Sequence, residues 1–223
     1  MNEWQGKKWY AYGTSMTDNV SLTPGGFHCG TYSKFLAEYA GLEEHNFGKG
    51  GSRIVAREEN EDNTKTRCMR LSDGKAEADL ITVDVIPNDF GYATLGSVTD
   101  EGDDTFCGNL NQLLAYLLTK TRAVVAVLIP PRARYQHDDS TKAFPPTSPT
   151  VQEQLLWEEA VEKICRMHGV PCWNAAAEGG LGYYRVAGND TYVKDQIHLS
   201  DEGGEVLAKY YWSRLQNVYP TKK

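Results

Sequence analysis

The run Ala123-Val124-Val125-Ala126-Val127-Leu128-Ile129 is apolar at every position and stops at Pro130-Pro131. A strand with one face in water alternates apolar and polar side chains. An unbroken apolar run rich in β-branched residues reads instead as a strand buried on both faces. That is the condition of a central strand in a parallel sheet covered by helices. The prolines end it because neither can donate to a sheet ladder.

Outward from this run, short apolar stretches alternate with longer helical ones. Trp9 to Gly13, Glu44 to Phe47 and Leu80 to Ile86 (LITVDVI) read as strands before it, and Pro171 to Asn174 begins a fifth strand after it. Helical spacing runs over Thr31 to Ala40, closed by Gly41, and over Leu110 to Leu118, Val151 to His168 and Gly203 to Leu215. Ser200 or Asp201 is the expected N-cap of the last helix. This alternation predicts an α/β fold: a three-layer α/β/α sandwich around a central parallel sheet of about five strands, flavodoxin-like in layout. With 223 residues and 40% hydrophobic content, one domain spanning 1–223 is expected.

Several function classes are disfavoured. A net charge of −7 argues against nucleic acid as a partner, because phosphate neutralisation needs a basic face. No apolar run approaches the ~20 residues of a membrane helix. The opening MNEWQGKK lacks the apolar core of a secretory signal, so no membrane partner is expected. The five cysteines form no CxxC motif and favour reduced thiols in a cytoplasmic setting, unless a leader was removed. His28, His45, His137 and His168 lack metal-ligand spacing, so no metal or cofactor is expected. The acidic runs Glu58 to Asp62 and Asp100 to Asp104 read as solvated loops or helix starts. Oligomeric state is left open.

In a sheet of this kind, ligands sit beyond the carboxyl ends of the strands. Four segments there should share one rim: Gly13-Thr14-Ser15, Gly48 to Ser52, Pro87-Asn88-Asp89 and Pro131 to Arg134. Ser15, at a strand-to-helix turn, is a nucleophile candidate, and a serine hydroxyl needs a base that is itself oriented by a carboxylate. Asp195-Gln196-Ile197-His198 places both groups on one turn before the last helix. Taken alone, His198 reads as a capping or partly buried histidine. The glycines of Gly48-Lys49-Gly50-Gly51 and the Asn88 amide can donate to an oxyanion. Taken alone, they read as ordinary turn residues. The four elements in this order, each at a strand end, favour the chemical reading. GKGGSR lacks phosphate-loop spacing, and GTSMT is not G-x-S-x-G.

The blocks YGTSMTD, NFGKGGSR, VIPND and DQIHLS resemble those of the SGNH hydrolase superfamily, the GDSL-type esterases and lipases, over Tyr12 to Ser200. The resemblance implies Ser15 as nucleophile, His198 as general base and Asp195 as the carboxylate that orients it. It implies an oxyanion hole of the Ser15 N–H, the Gly51 N–H and the Asn88 side chain, with Gly50 the alternative to Gly51. The sequence departs from the family in having Thr14 before the serine and Ile86 where a glycine stands two residues before the asparagine. The implied activity is ester hydrolysis through an acyl-enzyme. The alternatives are a non-catalytic carbohydrate-binding or structural module on the same fold and, ranked last, a flavodoxin-like or nucleotide-binding protein.

The rim residues Tyr12, Arg132, Arg134, Tyr135, Tyr183, Tyr184 and Tyr192 are aromatic and polar, a combination that suits sugars. A small-molecule or carbohydrate ester is therefore the expected substrate, with short acyl groups such as O-acetyl favoured and Arg132 and Tyr135 as candidate substrate contacts. Gln136 to Pro149, polar and proline-rich, reads as a long loop over the same rim.

Overall fold

The computed structural model describes residues 2–19, 32–59, 61–70, 77–131, 150–182, 191–193 and 197–220, with the backbone alone at 71 and 72. Strands β1 (Lys8–Gly13), β2 (Glu43–Gly48), β3 (Leu80–Asp84), β4 (Val124–Ile129) and β5 (Cys172–Asn174) form one parallel sheet in the order β2-β1-β3-β4-β5. The order reverses direction at β1, so β1 and β3 flank the point where connections leave toward opposite edges, the usual ligand position in such sheets. Helices α1 (Tyr32–Ala40), α2 (Thr64–Ser72), α3 (Phe106–Lys120), α4 (Val151–His168), α5 (Ala175–Glu178) and α6 (Asp201–Leu215) complete the described elements.

Period-two alternation along the strands splits the core between the two faces. Tyr10, Tyr12, Ile81, Val83, Val125, Val127 and Ile129 pack with Leu110, Leu114, Val161 and Ile164 of α3 and α4. Trp9, Ala11, Leu80, Ala126 and Leu128 pack with Leu36 of α1 and Leu207 and Tyr211 of α6. The apolar run of β4 is buried along Val125–Ile129, as an interior strand requires. The expected three-layer α/β arrangement is the one found.

Differences from expectation have local causes. The third strand ends at Asp84, two residues before the end of LITVDVI, because Ile86 adopts a positive φ of 92° and the chain turns there. The helix expected over Leu110 to Leu118 runs over Phe106–Lys120, its start set by the Thr105 cap. Helix α2 was not predicted. Its sequence TKTRCMRLS is too polar to show an apolar stripe, and of its buried residues Thr64, Lys65, Arg67 and Cys68 only Cys68 joins the apolar core. The Lys65 ammonium is held by Asp103 Oδ1 at 2.7 Å, Asn109 Oδ1 at 2.8 Å and Gln112 Oε1 at 2.6 Å.

The acidic runs are more than solvated loops. Glu61 binds the buried Arg53 guanidinium at 2.9 Å, and Asp100 accepts the Thr105 hydroxyl at 2.9 Å. Helix α4 carries a reciprocal cap: Thr150 Oγ1 accepts the Glu153 N–H at 3.2 Å and the Thr150 N–H donates to Glu153 Oε2 at 2.7 Å. Caps of this kind contribute about 1 kcal/mol. Among the described residues no helix is long and apolar enough to cross a membrane.

Candidate active site

Ser15 lies in a tight turn directly after β1. The Thr17 and Asp18 N–H groups donate to Thr14 O at 3.1 and 2.9 Å, and the Met16 N–H donates to Thr14 Oγ1 at 3.2 Å. Of residues 11 to 18, Ser15 alone is more than marginally exposed. Beneath the turn sits Asp84, the last residue of β3, whose two carboxylate oxygens accept the Thr14 N–H at 3.1 and 3.0 Å. Asp84 also accepts the Thr17 hydroxyl. Burial pushes Asp84 up to about 6, against the lowering effect of the Thr17 and Thr14 hydrogen bonds.

The glycine loop after β2 is clipped to this turn. The Lys49 N–H donates to Gly13 O at 3.1 Å, and the Gly50 N–H donates to Asp18 Oδ2 at 2.8 Å. Asn46 spans the two segments: its amide donates to Thr17 O at 2.8 Å while its Oδ1 accepts the Gly48 N–H at 3.0 Å. Gly51 has φ +72° and open space where a Cβ would stand, so backbone conformation rather than crowding favours glycine there. Neither the Ser15 N–H nor the Gly51 N–H has a hydrogen-bond partner among the described residues. From α2, the buried Arg67 donates to Ser52 Oγ at 3.2 Å and to Gly13 O at 3.4 Å, bracing both loops.

The turn after β3 presents Asn88. The Asp89 N–H closes it on Ile86 O at 2.8 Å, and Asn88 Nδ2 donates to Ser52 O at 2.9 Å. The Asp89 carboxylate accepts the Ile54 N–H at 3.2 Å and the Val55 N–H at 3.0 Å. Burial pushes Asp89 up to about 7, while these N–H groups pull the other way. Asn88 and Asp89 thus tie their turn to the glycine loop.

Ile86 is a β-branched residue at positive φ, a conformation that costs on the order of 1–3 kcal/mol. It persists because its side chain is buried with Ile54, Phe90 and Ile129, beside a small cleft also lined by Pro87, Pro130 and Pro131. Ordinarily alanine is worth more than glycine in a folded chain. At this position Ile86→Gly should be the more stable of the two truncations, by about 1 kcal/mol, because both lose the same core contacts and only glycine accepts the backbone. Urea denaturation of Ile86→Gly and Ile86→Ala checks it; alanine the more stable would mean the φ carries no strain.

The fourth segment comes from late in the chain. An antiparallel bridge joins Val193 to Leu199, and the Ser200 N–H donates to Tyr192 O at 3.0 Å. This closed loop holds His198 with Nε2 2.9 Å from Ser15 Oγ. His198 does not cap α6; Ser200 does, its Oγ accepting the Gly203 N–H at 3.1 Å. Asp195, Arg132 and Tyr135 lie outside the described residues, as do Arg134, Tyr183 and Tyr184. Tyr12 is not a rim residue: it is wholly buried and stacks on Phe47 with ring centroids 5.1 Å apart. Tyr192 is half-buried against the core beneath α6.

The structure therefore brings together Ser15, His198, the glycine loop and the Asn88 turn. An imidazole nitrogen at this distance can take a hydroxyl proton, and amide N–H groups without partners can meet a developing negative charge. Sequence reasoning missed Asp84 and Arg67. Asp84 stood inside a strand reading, where only its being a charged residue in an apolar run marked it. Among the described residues no group of three or more His, Cys, Asp or Glu side chains could hold a metal ion.

No protein-family model and no curated protein matches the sequence. Solved structures match along nearly the whole chain. A protein from Lactobacillus plantarum superposes with a TM-score of 0.78 at 24% identity, covering 96% of this chain and 99% of its own. A possible lipase from Chitinophaga pinensis gives 0.69 at 17% identity, covering 95% and 98%. A carbohydrate acetylesterase from Sinorhizobium meliloti gives 0.68 at 14% identity, covering 96% and 100%. The chain shares its fold with these proteins and with GDSL-like lipases.

Proposed function

We propose that the protein is a serine ester hydrolase working through an acyl-enzyme. The observation that carries this reading is the 2.9 Å approach of His198 Nε2 to the one open side chain of the β1 turn, Ser15 Oγ. Ser15 attacks the ester carbonyl as His198 takes its proton, and His198 then protonates the leaving alcohol. Asp195, three residues before His198, is assigned to orient the imidazole. The Ser15 and Gly51 N–H groups and the Asn88 amide hold the oxyanion. Water, activated by the same imidazole, releases the acid.

Asn88 donates one amide hydrogen to Ser52 O and so keeps its direction, leaving the second for the oxyanion. Losing one such donor typically costs ~10²–10³ in rate. Asn88→Ala should therefore lose that much kcat. Its stability should fall by only about 1 kcal/mol, for the lost bond to Ser52. Steady-state kinetics beside a thermal melt checks both. Near-full activity would remove Asn88 from the oxyanion hole.

The proposed substrate class is a short acyl ester, O-acetyl groups of carbohydrates first. The aromatic and polar character of Arg132, Arg134, Tyr135, Tyr183 and Tyr184 supports a sugar alcohol portion, and a carbohydrate acetylesterase shares the fold. Hydrolysis of p-nitrophenyl acetate, butyrate and octanoate tests the acyl preference: rates should fall with chain length, and a preference for octanoate would overturn it. The second reading, a non-catalytic binding module, is favoured by the strained Ile86 beneath the Asn88 turn. It predicts no labelling of Ser15 by an organophosphonate.

A further inference from the structure

We infer that Asp84 is a positioning residue for Ser15, its carboxylate fixing the turn that aims the serine hydroxyl at His198. This rests on the esterase reading above.

The carboxylate grips the turn on both sides of Ser15. It accepts the N–H of Thr14, the residue before, at 3.1 and 3.0 Å, and the hydroxyl of Thr17, two residues after. Thr14 is the hub of the turn, since its carbonyl and hydroxyl together accept three N–H groups from residues 16 to 18. Asp84 fastens that hub to the central sheet. The approach is close enough that a Cβ at position 13 would overlap both the carboxylate and Thr17 Oγ1, so glycine there is what admits the carboxylate beneath the turn.

The network also has a direction. Thr17 Oγ1 lies 3.0 Å from the hydroxyl of Tyr32, itself only 1% exposed. Thr17 has one hydroxyl proton. If it goes to Asp84, the Tyr32 hydroxyl donates to Thr17, and every group is satisfied with one orientation. Protonating Asp84 takes away one of the carboxylate acceptors that hold the Thr14 N–H and the Thr17 hydroxyl and so weakens the grip on the turn. The order of the turn thus belongs to the ionised carboxylate, which burial disfavours. An apolar residue would fill the same space without that cost but would leave the Thr14 N–H unpaired and the Thr17 hydroxyl with Tyr32 alone.

The groups that bear on Asp84 electrostatically are Tyr32 of α1, Arg67 of α2, Asp89 of the Asn88 turn and Tyr211 of α6. Burial opposes the charge, while the Thr17 and Thr14 hydrogen bonds and then Arg67 favour it, which leaves Asp84 at about 6, within reach of a kinetic pH profile. Acid protonates Asp84, which loosens the turn.

The test compares wild type, Asp84→Asn and Thr17→Val in p-nitrophenyl acetate turnover and in the rate of Ser15 labelling by an organophosphonate, across pH. Small misplacements of a reacting group cost up to ~10²-fold. Asp84→Asn should lose ~10–100-fold in kcat and in labelling rate with KM little changed. The acid limb of kcat/KM in Asp84→Asn should lack the contribution that Asp84, pushed up by burial to about 6, makes in wild type. Thr17→Val should show a smaller loss of the same kind, and it carries the test alone if Asp84→Asn does not fold. Asp84→Asn with wild-type labelling and an unchanged acid limb would overturn the inference and leave the esterase reading standing. A change in KM alone, or a folded Thr17→Val at wild-type rates when Asp84→Asn is unfolded, would overturn it too. A wild type that neither turns over ester nor labels at Ser15 would remove both readings together.

Discussion

Ser15→Ala is expected to lower kcat for p-nitrophenyl acetate by ~10⁴–10⁶-fold, to the level left by oxyanion stabilisation and binding alone. The size follows from its place. The hydroxyl is the proposed attacking group, it sits 2.9 Å from His198 Nε2, and no other side chain of residues 11 to 18 opens as far to solvent. The fold should not notice the change. Ser15 packs at the surface of the turn, whose bonds run through Thr14, Thr17 and Asp18, so the melting temperature should stay within a degree or two of wild type. Activity retained in Ser15→Ala would move the chemistry elsewhere and return Ser15 to the status of a turn residue.

His198→Ala should cost a similar ~10⁴–10⁶-fold, because nucleophile and base act as a unit and removing either disables both. The diagnostic lies in the pair. Ser15→Ala and the double variant should be equally inactive, and His198→Ala should lose organophosphonate labelling although Ser15 is still present. His198 is only half-buried and does not cap α6, so its loss should leave stability nearly unchanged. A His198→Ala enzyme within tenfold of wild type would mean that the serine proton goes to another group. Kinetics across pH would then find that group by its own titration.

Much of this arrangement is legible in the chain. An apolar run such as β4 announces burial on two faces through its composition alone, because no alternation survives when neither face meets water. The amphipathic period of α4 and the Ser200 cap of α6 are equally local. The helix α2 was illegible for the converse reason. It buries threonine, lysine and arginine beside Cys68, its lysine is held by partners about forty residues away, such as Asn109, and its own sequence has no apolar stripe to report. Tyr12 misled in the same way: its residue type suited a sugar-facing rim, but its place in β1 turns it inward onto Phe47.

By itself the sequence determined the layered α/β architecture, the order of its strands along the chain, and the identity of a serine, a glycine loop, an asparagine and a late histidine at element ends. These depend on periodicity and turn chemistry, which act over a few residues. Only the tertiary structure decided that Ser15 meets His198 across 183 positions, that Asn88 leans on Ser52, that Ile86 takes a positive φ and that Asp84 reaches beneath the serine turn. Those contacts follow from strand order and register. Placing β3 beside β1 sets Asp84 beside the strand that ends at Gly13, and no local pattern in either strand encodes which neighbour it will have.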